Sequence, residues 1–187
     1  MTFLVLNTFT VNNCACVIFL LVRCSIDVQA YSANNANTSR YGFVKLNAVP
    51  VWQASWLGTY PDLRGVNVLL VEPFSGSVQE TRRFDTYEDA TAATELTSYL
   101  KQVSYGSIIV GVTADEPTRH LASALATLRE IGADVANVQR RGSFAFVAQK
   151  GFPAKTVLSK VVTQARSNAD PARINAIITG AIVCGRR

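Results

Sequence analysis

Val66–Val71 reads VNVLLV and is closed by Glu72-Pro73; Phe74-Ser75-Gly76-Ser77 then offers turn chemistry, and Val78–Phe84 (VQETRRF) runs back. A β-branched-rich run, a Gly/Ser turn and a second extended segment make a β-hairpin. Further along, Ser107–Val112 (SIIVGV), Asp134–Val138 and Ser143–Ala148 (SFAFVA) are strand candidates, and Arg173–Val183 (RINAIITGAIV) is strand in its later half. Between them lie segments with helical period. In Glu88–Val103 the positions Ala93, Leu96, Leu100 and Val103 step by three and four, with Gly106 just beyond. Glu116–Ile131 carries Leu121, Leu125, Leu128 and Ile131, with Pro117 early and Gly132 after the end. Pro153–Arg166 places Val157, Leu158, Val161, Val162 and Ala165 on one side. Each stripe is one face wide, so each helix is expected to lie on a sheet with its other face wet.

The chain has 187 residues, 49% hydrophobic and 17% charged, enough for a packed core and too apolar for wholesale disorder. No Pro/Gly linker and no repeat divides Tyr41 to Val183. The expectation is a single compact domain of the α/β (α+β) class over 41–187.

The net charge of +5 is scattered, with no basic run longer than the pairs Arg82-Arg83, Arg140-Arg141 and Arg186-Arg187. Aromatic residues are not interleaved with these cations, so nucleic acid is not an expected partner. Four cysteines without C-x-x-C pairing exclude a disulfide scaffold and a structural zinc site. The chain lacks G-x-x-x-x-G-K-[ST], G-x-S-x-G, H-E-x-x-H and a strand-linked G-x-G-x-x-G. Its one histidine, His120, stands beside no nucleophile motif and reads as a half-exposed helix residue. No cofactor and no catalytic activity are expected. Asp85/Glu88/Asp89 and Asp115/Glu116 fall where helices are expected to begin, and carboxylates there cap free N–H groups. Trp52, Trp56 and Tyr60 step by four and read as packing at a sheet edge rather than as a sugar platform.

Met1–Val22 contains no charged side chain, and Cys14–Val22 (CACVIFLLV) is a continuous apolar run of signal-peptide length, too short to span a bilayer. Val28-Gln29-Ala30 suits a signal peptidase, so residues 1–30 are expected to be a leader removed before Tyr31; a buried N-terminal strand is the other reading. Residues 31–40 then form a polar lead-in carrying the glycosylation sequon Asn37-Thr38-Ser39. The expected location is secreted and extracellular, with no membrane span after cleavage. Losing 1–30 leaves Cys184 alone, whereas cleavage before Cys24 keeps both. A free thiol, a disulfide-linked dimer through Cys184 and a Cys24–Cys184 staple stay open.

Arg64 and Arg141 precede strand candidates and Asp115 follows one, positions from which side chains project at a rim. Arginine donates paired hydrogen bonds to hydroxyls or anions and aspartate accepts from hydroxyls, which suits a neutral sugar or a small acidic group.

Five phrases in register give this rim a family setting: Arg64-Gly65-Val66-Asn67-Val68, Arg83-Phe84-Asp85-Thr86-Tyr87, Val112-Thr113-Ala114-Asp115-Glu116, Leu128-Arg129-Glu130-Ile131-Gly132-Ala133 and Arg141–Gly151 (RGSFAFVAQKG). Together they resemble the ILEI/PANDER domain of the interleukin-like EMT inducer and pancreatic-derived factor family. The resemblance covers Arg64–Gly151 and implies a twisted, largely antiparallel sheet flanked by about three helices. It also implies a secreted, non-catalytic domain that binds a glycan or glycoprotein in a lectin-like way, N-acetylglucosamine types included. The alternative it implies is a cytokine-like signalling protein with a cell-surface receptor. In the lectin-like stem of protein O-mannose N-acetylglucosaminyltransferase, the sugar-binding arginine, aspartate and arginine match Arg64, Asp115 and Arg141. Two departures stand beside that match: Arg140 replaces the family's aromatic, and Gly142 replaces its aspartate.

Overall fold

The run that opens the hairpin is buried along its whole length, which requires cover on both faces of its sheet. The computed structural model describes residues 6–11, 14–19, 24–32, 41–55, 63–73, 75–151, 162–164, 171–178 and 181–184. The strands are β1 (Leu6–Val11), β2 (Cys14–Phe19), β3 (Cys24–Gln29), β4 (Tyr41–Leu46), β5 (Val49–Ser55), β6 (Gly65–Val71), β7 (Val78–Phe84), β8 (Ile108–Ala114), β9 (Ser143–Gln149), β10 (Val162–Gln164), β11 (Arg173–Ile178) and β12 (Ala181–Cys184). Helices α1 (Ala92–Gln102) and α2 (Leu125–Glu130) and a 3-10 turn at Ala122–Ala124 complete the described elements. A central sheet runs β10-β9-β8-β6-β7, a second runs β11-β3-β4-β5, and β1, β2 and β12 form a third. All the pairings among the described residues are antiparallel, in line with the largely antiparallel sheet that the resemblance implies.

Strand alternation gives β6, β8 and β9 two apolar faces. Leu69, Val71, Val110, Val112, Ala145 and Val147 face the second sheet, where Ile26, Val28, Val44, Trp52 and Ile174 close the core. Val66, Val68, Ile109, Phe144 and Phe146 face the helices, meeting Leu96 and Leu100 of α1 and Leu128 of α2. The result is three layers, helices on a five-stranded sheet on a four-stranded sheet.

Several expectations change. The helical stripe of Glu88–Val103 is α1, shortened to Ala92–Gln102. Glu116–Ile131 is not one helix. Glu116 Oε1 accepts from the Thr118 N–H at 2.9 Å, and the His120 N–H is drawn to Thr86 O at 2.8 Å, so residues 115–121 fold as turns. Asp134–Val138 is also turn rather than strand: Asp134 Oδ1 accepts the Ala136 N–H at 3.3 Å, a local bond that competes with a ladder. Of the expected helix Pro153–Arg166, Val162–Gln164 is strand, paired with β9 on the sheet edge, and the rest lies outside the described residues. The described helices are therefore two plus one 3-10 turn, not about three. Trp52 is buried in β5, while Trp56, Tyr60 and the sequon at Asn37 lie outside the described residues.

Strand β3 falls inside the segment expected to be a leader, yet it lies between β11 and β4 in the second sheet. Ile26, Val28, Ala30 and Tyr31 are fully buried, and the Tyr31 N–H donates to Thr113 O at 3.1 Å across the two sheets. Cys24–Gln29 is thus a strand inside the second sheet, and Tyr31 packs between the two sheets. Cys24 is buried and carries a free thiol, which burial pushes above its ordinary pKa, so the Cys24–Cys184 staple is not formed. Cys184, on β12, stands opposite Cys16 in the register with β2.

Gly111 shows how tightly the helix-side layer is built. A Cβ there would come within 2.0 Å of the Phe146 ring, its partner across the β8–β9 ladder. Gly111→Ala is expected to lower the unfolding free energy by about 2 kcal/mol through overpacking, read as a lower urea midpoint. An unchanged midpoint would contradict this layering.

Candidate functional site

Antiparallel order gathers one end of four strands into a rim. Gly65 of β6 pairs with Ala114 of β8, which sets Arg64 beside Asp115. Val66 pairs with Phe84 of β7, which brings Asp85 to the same end. On the other side, Thr113 Oγ1 accepts from the Phe144 N–H at 2.9 Å and donates to Phe144 O at 3.0 Å. That locks the start of β9 to the end of β8, with Arg141 in the turn just ahead. Arg64, Asp115 and Arg141 thus share the rim, although they are far apart in the chain.

They do not do the same work there. Arg64 is 8% exposed rather than projecting. Its Nε and a terminal nitrogen donate to the two Asp85 oxygens at 3.1 and 3.0 Å, the second nitrogen also reaching Glu88 at 3.2 Å. The guanidinium lies 4.7 Å from the Tyr87 ring centre. The hydrogen bond to Asp85 raises the Arg64 pKa more than burial lowers it, and the charges of Asp85, Glu88 and Asp115 add to the rise. Asp115 is thus a buried carboxylate within the field of Arg64. Its backbone has φ of 60°, a left-handed conformation that aspartate adopts more readily than most residues. Gly65 explains the Arg-Gly phrase: at φ of 98°, an added Cβ would come 2.2 Å from Phe84 O, so no side chain fits.

Asp85 departs from the capping role expected for it. Helix α1 begins at Ala92 behind Thr91, which makes no side-chain cap bond. Asp85 instead accepts the Tyr87 and Glu88 N–H groups at 3.3 and 3.1 Å and binds both Arg64 and Arg83. Burial pushes its carboxyl up, but the bonds from Arg64, the Glu88 backbone and Arg83 outweigh burial and hold it below the ordinary aspartate range. Thr86, fully buried, ties this turn to the next: its hydroxyl donates to Pro117 O at 2.7 Å, and its carbonyl accepts the His120 N–H. His120 therefore serves through its backbone, in a turn and not on a helix.

Arg141 is the member that faces water, its side chain 51% exposed. It too has φ of 60°. Its N–H donates to Thr118 Oγ1 at 3.3 Å, and the Thr118 hydroxyl donates in turn to Glu116 Oε1. Glu116 Oε2 lies 3.9 Å from Arg141 Nε, beyond hydrogen-bond reach, and makes no hydrogen bond among the described residues. The sequence reading missed Glu116 as a site residue, and it missed Arg119, whose guanidinium lies 5.0 Å from the same Tyr87 ring. A signal was present in both: each sits in the Asp115–His120 segment, read as the opening of a helix. Among the described residues no group of three or more His, Cys, Asp or Glu is placed to hold a metal, and no helix is long and apolar enough to cross a membrane.

Residues 64–152 match the family model for the interleukin-like EMT inducer. This segment is an interleukin-like EMT inducer domain. The match begins at Arg64 and ends just past Gly151, so the rim lies inside the family segment. The chain is 29% identical over 113 residues to the human cell migration-inducing and hyaluronan-binding protein, covering 59% of this chain and 8% of that one. It is 30% identical over 91 residues to human protein FAM3B, covering 48% of this chain and 38% of that one. The chain thus spans well under two thirds of both relatives. The matched segment spans β6 to β9 and the helices between them, which is the central sheet without its edge strand β10.

Asp85→Asn is expected to cost about 3 kcal/mol near neutral pH, because Arg64 stays buried with one partner removed. The sign follows from the depressed carboxyl: its stabilisation is full above the unfolded value, about 3.9, and is lost as pH falls through the lower folded value. Urea titrations as a function of pH check both parts. The wild-type protein should lose stability below about pH 4, and Asp85→Asn should lack that portion of the acid slope.

Proposed function

We propose that this chain is an extracellular, non-catalytic signalling protein of the interleukin-like class, acting by docking its domain onto a cell-surface partner. The match of residues 64–152 to the interleukin-like family model carries this reading. The rim supports it physically. Its buried guanidinium is met within the fold, Arg64 by Asp85 and by the exposed Glu88, which suits a rigid surface that presents groups and transforms none. Binding of the labelled protein to cultured cells is expected to saturate and to be displaced by unlabelled protein. Binding that rises linearly without displacement would overturn the reading.

Carbohydrate is the second reading, favoured by the gathering of Arg64, Asp115 and Arg141 at one rim. One of the two human relatives is named for hyaluronan binding, which lends this reading further support. Arg141, the exposed member, would make the direct contact, while Arg64 and Asp115 hold the wall behind it. A glycan array probed with wild type and Arg141→Ala tests it. Selective binding lost in the variant is the expected result, and silence in both leaves the protein receptor alone.

Secretion through a leader fits this function, with one change of position. Cleavage before Tyr31 would remove β3 from the middle of its sheet, whereas cleavage ahead of Cys24 keeps it and removes only β1 and β2, which pair with β12 apart from the two main sheets. N-terminal sequencing of the exported chain should therefore show a first residue no later than Cys24, and a chain beginning at Tyr31 would refute that placement.

A further inference from the structure

The two main sheets do not end together. Strand β11 lies against β9 and β4 against β8, so the order β11-β3-β4-β5 runs alongside β9-β8-β6, and β5 reaches only as far as β6. Leu69 and Val71 of β6 are fully buried in the core that Trp52 and Ala54 of β5 help to close. The next strand, β7, is uncovered on that same face. Thr81 stands opposite Leu69 and Arg83 opposite Asn67, yet Thr81 and Arg83 are exposed while Leu69 and Asn67 are fully buried. Beyond the outer edge of β5 there is therefore a ledge one strand wide, with β7 as its floor.

The wall of this ledge is a bare strand edge. A terminal strand points a row of N–H and C=O groups outward. Among the described residues no backbone group bonds to that side of Val49–Ser55. Such edges are ordinarily blunted by charge, proline or a bulge. β7 carries Glu80, Arg82 and Arg83, and β11 carries Arg173. Val49–Ser55 carries no charge. Its Pro50 and the register shift beside it stand at one end, which leaves Trp52–Ser55 in regular pairing with β4. Val51, next to that stretch, is 37% exposed.

We propose that the ledge takes one extended segment of a partner protein as an added strand, bonded to the edge of β5 and lying over β7. The space selects the occupant. A second copy is kept from laying its own β5 alongside, because β7 of each copy projects beneath the place of the incoming strand; a single extended segment fits. The ledge also sets its composition. Inward side chains meet Thr81 and Arg83, which suits hydroxyl and carboxylate groups and disfavours lysine. Outward side chains lie beside Val51 and Gln53, which suits valine or isoleucine, while backbone bonds supply the affinity. This inference rests on the docking reading of the protein and gives that docking a surface.

The test is calorimetric titration of the full chain with a capped seven-residue peptide that alternates threonine or glutamate with valine. A dissociation constant of about 10–100 µM is expected, with slower amide exchange along β5 in the complex. Proline at the centre of the peptide, or lysine in place of glutamate, should weaken binding about tenfold. Thr81→Trp fills the ledge without touching a ladder bond; it should weaken the peptide about tenfold and leave the urea midpoint unchanged. No binding of the alternating peptide up to about 1 mM would overturn the proposal. Equal binding of the proline peptide, or a Thr81→Trp variant that binds as wild type does, would overturn it too. Binding of labelled protein to cultured cells separates the two readings. Saturable binding that Thr81→Trp leaves unchanged would overturn this surface and keep the docking reading, whereas wild type that binds neither cells nor peptide would overturn both.

Discussion

A guanidinium buried at the first residue before a central strand has to be paired, and the pairing of Arg64 with Asp85 organises everything at that end of the molecule. Removing a cation from water is expensive unless a carboxylate meets it with good geometry. Here the meeting is two-pronged, one bond to each Asp85 oxygen. Arg64 is held by Gly65, whose left-handed backbone no other residue could copy so close to Phe84 O. Asp85 in turn receives the N–H groups of Tyr87 and Glu88, so satisfying Arg64 also shapes the turn that follows β7. Thr86 carries the constraint onward to Pro117 and His120, and Thr118 carries it from there to Arg141. A buried and paired inner layer thus positions the exposed turn that carries Arg141.

That division of labour changes how the rim is read. Residue type alone makes Arg64 and Arg141 equivalent, two arginines ahead of two strands. Burial separates them: one is paired inside the fold, and the other is half in water. The sheet makes the separation possible. Because β6 and β8 are buried on both faces, the rim is the place where the central strands can present polar side chains to water. Loops at the ends of a rigid sheet commonly carry binding groups for this reason.

What the sequence made legible follows the same physics. Val66–Val71, Ser107–Val112 and Ser143–Ala148 announce themselves because burial on both faces demands uninterrupted apolar runs. The stripe Ala93, Leu96, Leu100 announces α1 because one buried helix face recurs every three to four residues. The turns were harder. Leu121, Leu125 and Leu128 keep a helical spacing while Pro117, Thr118 and His120 are bound to side chains and carbonyls that only the fold brings near. Asp134–Val138 looks extended, yet a single Asp134 side chain bends it. Strand β3 was hidden because it follows an apolar stretch of signal-peptide length and falls inside the segment read as a leader. The partner of Arg64 lies 21 residues on, and no local pattern connects them until the register of β6 with β7 is known.

The central claim is that Arg64 supports the rim and Arg141 serves it, and equilibrium unfolding of two single variants tests that most directly. Arg64→Gln, which leaves Asp85 half-buried and poorly paired, is predicted to lose about 3 kcal/mol in urea unfolding. Arg141→Gln, whose guanidinium is largely in water, is predicted to stay within about 0.5 kcal/mol of wild type. The reverse order, with Arg141 the costlier loss and Arg64 nearly silent, would contradict the account.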